Sequence, residues 1–304
     1  MGARIAVVDL GTNSTRLLVA EVDDRTVREL DRRTNVTRLG EGVDAAGRLS
    51  DAGIERVANV LAGYREAIDA LGAETAIGVA TSAVRDAANG GEFRDMLAGR
   101  FGLDLRVISG EEEARLTFRG ATYAREVSGA ETMVVDIGGG STEYVVGEPG
   151  AEPRFHVSTR LGSVRQTERH AELEAMRAEA RSIITGDVPE AIRASVDAGI
   201  AVAGTATSLA AIDLVLERYD RDRVDGHSLS IGAVEVMLAR LAELPLAERR
   251  KVTGLHPDRA PTIVAGAAIL AESMRAFGLD RIEVSEADLL HGAALVAAAG
   301  DWDK

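Results

Sequence analysis

The chain has 304 residues, of which 46% are hydrophobic and 28% charged, with a formal net charge of −14. That length favours two domains of ordinary size, and the acidic balance argues against a generic nucleic-acid binder, whose affinity rests on Lys and Arg neutralising phosphates. The absence of cysteine excludes disulfides, thiolate metal sites and cysteine nucleophiles, and no apolar run approaches the roughly 20 residues that span a bilayer.

In chain order, the first element is a strand over 4–9 that leads through Asp9-Leu-Gly-Thr-Asn-Ser-Thr15 into a second apolar run. No charged region, apolar stretch and cleavage site occur in series at the start, so the expected location is the cytoplasm. Ile54, Val57, Leu61 and Ile68 recur at helical spacing and predict a helix over 49–71, with Ser50 or Asp51 as cap and Gly72 as stop. A strand at 75–80, the pair Thr81-Ser82, a helix at 93–100 and a strand at 105–108 continue the alternation of an α/β domain. Residues 111–121 read as a further helix and 127–131 as a polar connection.

At 132–146 the opening pattern returns, because Asp136-Ile-Gly-Gly-Gly-Ser-Thr142 and its flanking apolar runs superimpose without gaps on the first copy, 127 residues away. The repeat predicts a diverged duplication of a domain that opens on a β-hairpin. Beyond it come a turn-rich loop at 147–153, one long charged helix over 167–184, a strand at 200–203 ending in Gly204-Thr205, and a mainly helical stretch from 231.

In each repeated turn a glycine admits close backbone approach to an anion, while N–H groups and hydroxyls form a nest. Gly11, Thr12, Asn13 and Ser14 in the first copy, and Gly138, Gly139, Gly140, Ser141 and Thr142 in the second, are therefore candidate phosphate binders. A merely structural turn has no need to repeat both its Asp and its Ser-Thr. Asp9, Asp136 and Glu143 are candidate oxygen ligands for Mg2+, and Gly204-Thr205 suits an anion at a helix N-terminus. Arg16 and Arg85, with Arg160, Arg165 and Arg259, are candidate partners for phosphate oxygens. Ser109-Gly-Glu-Glu-Glu113 begins a helix with three successive carboxylates. A capping box and the helix dipole account for them on local physics, while a carboxylate near a domain boundary can also serve as general base. The five histidines show no zinc-ligand spacing.

Asp9-Leu-Gly-Thr-Asn-Ser-Thr-Arg-Leu-Leu, Ala80-Thr-Ser-Ala-Val-Arg-Asp-Ala-Ala-Asn, Ser109-Gly-Glu-Glu-Glu-Ala-Arg-Leu, Asp136-Ile-Gly-Gly-Gly-Ser-Thr-Glu and Ala203-Gly-Thr follow one another along the chain. In these motifs and their order the sequence resembles the exopolyphosphatase and guanosine pentaphosphate phosphohydrolase family, within the actin, Hsp70 and sugar-kinase superfamily. The resemblance implies an α/β fold of two ribonuclease-H-like domains with a cleft between them. The first would hold 1–125, rejoined by the C-terminal helix near 291–304, and the second 126–290.

The resemblance further implies that Glu113 is the general base for an attacking water and that Mg2+ or Mn2+ lies near Asp136 and Glu143. The implied substrate is inorganic polyphosphate, in short chains because longer family members continue into a helical domain where this chain stops; guanosine pentaphosphate (pppGpp) is the alternative. An actin-like nucleotide-binding regulatory protein or ATPase is the reading of another class, and the helix at 109–116 counts against it. Neither nucleic acid nor membrane is an implied partner, and a homodimer is admitted. One departure stands out: Asp288-Leu-Leu-His-Gly292 occupies a place where the family often carries Arg-Glu-Gly.

Overall fold

The computed structural model describes residues 2–23, 26–125 and 129–302, so that residues 127 and 128 of the expected polar connection lie outside the described residues. The chain forms two compact units, Met1–Ala124 with Leu289–Lys304, and Arg125–Asp288.

The first unit runs β1 (Ala3–Leu10), β2 (Ser14–Asp23), β3 (Thr26–Val36), α1 (Val43–Ala46), α2 (Asp51–Leu71), β4 (Thr75–Ala80), α3 (Ser82–Asp86), α4 (Gly90–Phe101), β5 (Asp104–Val107) and α5 (Gly110–Thr122). Its sheet has the order β3-β2-β1-β4-β5, with β1, β4 and β5 parallel and β2 and β3 antiparallel. Central β1 is covered on both faces, which is why it reads as a continuous apolar run instead of an alternating one. Ala6, Val8 and Leu10 pack with Val57, Leu61, Phe93 and Leu97 of α2 and α4. Ile5 and Val7 point the other way, onto Leu116 of α5 and Leu289, Leu290 and Ala293 of the last helix.

The second unit runs β6 (Thr132–Ile137), β7 (Thr142–Gly147), β8 (Phe155–Thr159), α6 (Ser163–Arg169), α7 (Leu173–Asp187), α8 (Glu190–Arg193), β9 (Ala198–Val202), α9 (Ala203–Asp213), α10 (Arg221–Val224), β10 (Ser228–Ser230), α11 (Ile231–Glu243), α12 (Leu246–Arg249), α13 (Ile263–Ala276) and β11 (Arg281–Val284). The sheet order is β10-β11-β9-β6-β7-β8. Without the edge strand β10 it repeats the first sheet, including the parallel pairings of β6 with β9 and of β9 with β11. The duplicated five-stranded mixed sheet with helices on it is the ribonuclease-H-like α/β fold. Buried α13, rich in Ala, supplies much of the second core, and this explains how a chain with 3% aromatic residues fills it.

The chain then returns to the first unit as α14 (Leu289–Ala298). The need is physical: without α14 the second face of β1, β2 and β4, formed by Ile5, Val7, Leu18, Ala20, Ile77 and Val79, would lose its cover. The unusual Leu290-His291 lies here. His291 is buried, stacks on Tyr123 with ring centroids 6.0 Å apart, and has Nε2 2.8 Å from Glu29 Oε1.

Two expectations need correction. The helix expected over 167–184 is two helices, α6 and α7, broken at His170, whose backbone is extended. The break lets His170 and Gln166 turn back onto Glu179 of α7. The stretch from 231 is mainly helical as expected, with one four-residue strand, β11, too short to announce itself among helical apolar runs. Gly204 and Thr205 lie inside the first turn of α9, and the left-handed residue there is Ala203, at φ 62°. No helix among the described residues is long and apolar enough to cross a membrane.

Candidate active site

The two repeated loops close with the same bond. Gly11 N donates to Ser14 O at 3.0 Å and Gly138 N to Ser141 O at 3.0 Å. Their carbonyls are then held from behind. In the first loop Thr37 N and Arg38 N donate to Asn13 O and Gly40 N to Thr12 O; in the second, Ser163 N donates to Gly138 O, and Val164 N and Arg165 N to Gly139 O. Arg165 Nε adds a bond to Gly140 O at 2.9 Å. Among the described residues the amides of Thr12, Asn13, Gly139 and Gly140 donate to no protein acceptor. A loop with its carbonyls tied back and its N–H groups uncommitted is built to receive an anion.

The hydroxyls divide between the two jobs. Ser14 Oγ is buried without a hydrogen-bond partner, and Thr12 Oγ1 lies 2.8 Å from Ser82 Oγ. Thr142, expected to touch phosphate, is fully buried and donates to Leu161 O, while Thr15 Oγ1 lies 2.9 Å from Thr37 Oγ1. The second residue of each Ser-Thr pair thus braces the loop. Tyr64 of α2 supports the first loop from below, its hydroxyl donating to Thr15 O at 2.8 Å. Burial pushes that phenol well above its usual range.

The three carboxylates at the start of α5 separate into three roles. Glu112 makes the capping box with Ser109, and exposed Glu111 pairs with Arg115 at 2.7 Å. Glu113 alone turns inward, where it is 7% exposed. Arg85 Nη1 lies 3.3 Å from Glu113 Oε2 and donates to Ile108 O at 2.8 Å. Arg85, expected to hold phosphate, is placed as the cation beside Glu113.

The leading carboxylates differ between the copies. Asp9 lies opposite Arg16 on β1 and β2, and both Arg16 Nε and Nη2 reach Asp9 Oδ2 at 2.7 Å. Arg16, expected on phosphate, and Asp9, expected on metal, are thus joined to each other. Asp136 instead lies opposite Glu143, the two 7% and 1% exposed, with Ser158 Oγ donating to Glu143 Oε1 at 2.7 Å. Two buried carboxylates at facing positions of a strand pair supply oxygen donors of the kind a hard cation takes. Hard oxygen donors with no imidazole or thiolate fit Mg2+ or Mn2+, which takes one or two carboxylates and completes its shell with water and phosphate. Among the described residues no cluster of three or more acidic or histidine side chains forms a fuller cage.

The start of α9 brings one more cation into place. A Cβ on Gly204 would stand 1.7 Å from Arg259 Nη1, so only glycine leaves room for that guanidinium across the helix start. Thr205 is buried beneath, against Gly266 of α13.

Two ribonuclease-H-like units, each with an anion-receiving loop after its first strand and with buried carboxylates close by, define an enzyme that acts on phosphoryl groups. The chain belongs to the Ppx/GppA phosphatase family, whose model matches residues 18–298, and it is a phosphatase. It is 35% identical to exopolyphosphatase 2 of Mycobacterium tuberculosis, over 97% of this chain and 98% of that protein. Among solved structures it is similar to an exopolyphosphatase-like protein at 33% identity and a TM-score of 0.90, covering 97% and 98% of the two chains. It is also similar to the Ppx/GppA family member of Aquifex aeolicus at 30% identity and a TM-score of 0.82, covering 99% of each.

Proposed function

We propose that the chain releases terminal inorganic phosphate from inorganic polyphosphate, through a water activated by Glu113. The observation that carries this reading is the burial of Glu113 alone among three successive carboxylates, with Arg85 as its partner. A carboxylate held in this way can orient a water and take its proton as the oxygen attacks phosphorus. The phosphoanhydride bond then breaks, and phosphate and a polyphosphate shorter by one unit leave.

The chain's own groups do the positioning. The amides of Thr12, Asn13, Gly139 and Gly140, with Ser14 and Ser141, hold phosphate oxygens, and the reaction gains from having these donors fixed before charge develops. Gly204, Thr205 and Arg259 offer a further anion position at the start of α9. Asp136 and Glu143 would hold Mg2+ or Mn2+, which when bound neutralises charge on the transferring phosphoryl group.

A substrate panel tests the proposal. Phosphate release is measured from tripolyphosphate, longer polyphosphates, pppGpp and ATP, with Mg2+, with Mn2+ and with chelator. Metal-dependent release from polyphosphate, with the highest kcat/KM in the panel, is expected. A clear preference for pppGpp would replace polyphosphate as the substrate, and turnover of ATP alone would overturn the reading.

A further inference from the structure

The fold exposes a second repeat. Thr37-Arg38-Leu39-Gly40 directly follows β3, and Thr159-Arg160-Leu161-Gly162 starts on the last residue of β8, the third strand of its unit. Three of the four positions have a task at the neighbouring loop. Thr37 meets Thr15 through its hydroxyl, and Thr159 Oγ1 donates to Thr142 O at 2.9 Å. Leu39 and Leu161 are fully buried in their respective cores. Gly40 and Gly162 permit contact with the loop itself, because a Cβ would stand 2.3 Å from Thr12 Cγ2 in one and 2.2 Å from Gly139 O in the other.

The arginine is the fourth position. Arg38 is half-buried and Arg160 exposed, so neither recurs as a core residue. Arg38 N donates to Asn13 O, and Arg160 sits between the two residues that bond Thr142, which places one guanidinium-bearing residue against each loop. Arg38 also holds a left-handed backbone at φ 48°, a conformation that costs a non-glycine residue free energy and tends to persist at functional positions. The chain is acidic, so a polyanion needs cations placed locally beside the loops.

We propose that Arg38 and Arg160 are phosphate-binding residues, one for each loop, which hold oxygens of the polyphosphate chain by charge-assisted hydrogen bonds. The proposal rests on the reading of the chain as a polyphosphate phosphatase. Its test uses Arg38→Asn, since Asn tolerates a left-handed backbone, together with Arg160→Gln, the double variant, and Arg160→Lys. Tripolyphosphate binding is measured by calorimetry at two salt concentrations, and kcat and KM are measured on the same substrate, with thermal melting as a control for folding.

Each single substitution is expected to weaken binding and raise KM by about tenfold, the size of one charged hydrogen bond, with kcat within about threefold. The salt dependence of binding should become shallower, and Lys should recover part of the loss at position 160. Folded variants that match the wild type in binding and KM would overturn the assignment. Failure of the underlying reading looks different: a wild type that binds tripolyphosphate but releases no phosphate from it removes the reaction, while the binding data still decide the arginines. A wild type that binds no tripolyphosphate overturns both.

Discussion

Asp136 faces Glu143 across β6 and β7 at the same place where Asp9 faces Arg16 across β1 and β2. One duplicated frame thus holds a neutralised ion pair in the first unit and two buried carboxylates in the second. The difference is one residue, and the proposed function places cation binding at the second copy.

Glu143→Gln is the first test of that assignment. In the wild type Mg2+ should raise the melting temperature by mass action, and in the variant this rise should vanish. In chelator the variant should melt no lower than the wild type, because a like-charge repulsion has been removed. Loss of roughly 100-fold or more in kcat/KM is expected. An undiminished Mg2+ effect on melting would assign the metal elsewhere.

Arg85 Nη1 lies 3.3 Å from Glu113 Oε2 and donates to Ile108 O just past β5, a placement that in the proposed reaction orients the base. Arg85→Gln should lower kcat by about 10- to 100-fold with a smaller change in KM, since the residue acts on the base and not on bound phosphate. A variant that raises KM and leaves kcat unchanged would instead make Arg85 a substrate contact.

Gly292 carries α14 against α5, where a Cβ would stand 1.9 Å from Leu116 O. Gly292→Ala should cost about 1–3 kcal/mol of stability through overpacking, and it should lower kcat because Glu113 lies one turn away on the same helix. Calorimetric melting and steady-state kinetics check both. Unchanged values would mean that α14 can shift without consequence.

Glu179 gathers Gln166, Arg169 and His170 behind the second loop. Burial raises its pKa, but hydrogen bonds from His170 and Gln166 and the charge of Arg169 outweigh this and hold it below the usual range. A lowered native pKa contributes stability that is present above the unfolded value, near 4.5, and is lost as pH falls through the native value. Glu179→Gln should therefore melt below the wild type at neutral pH and converge on it in acid. A gap that widens in acid would contradict the sign.

The loops were legible because Asp, Gly, Ser and Thr recur without gaps, and the alternation of strands and helices made the α/β class legible as well. What escaped depends on tertiary contact. Local physics accounts equally for Glu111, Glu112 and Glu113, and only packing turns Glu113 inward. The Asp9–Arg16 pairing follows from strand register, which neither residue reveals. The Thr-Arg-Leu-Gly repeat stayed hidden because its copies are 122 residues apart, while the loops are 127 apart. A gapless comparison therefore loses it, although the four residues are identical.

The central claim is that Glu113 activates the attacking water. Turnover of tripolyphosphate by Glu113→Gln, measured together with its binding, tests this most directly. The account predicts a fall in kcat of about 1,000-fold or more, with binding within a few-fold of the wild type. Turnover near the wild-type rate would contradict it.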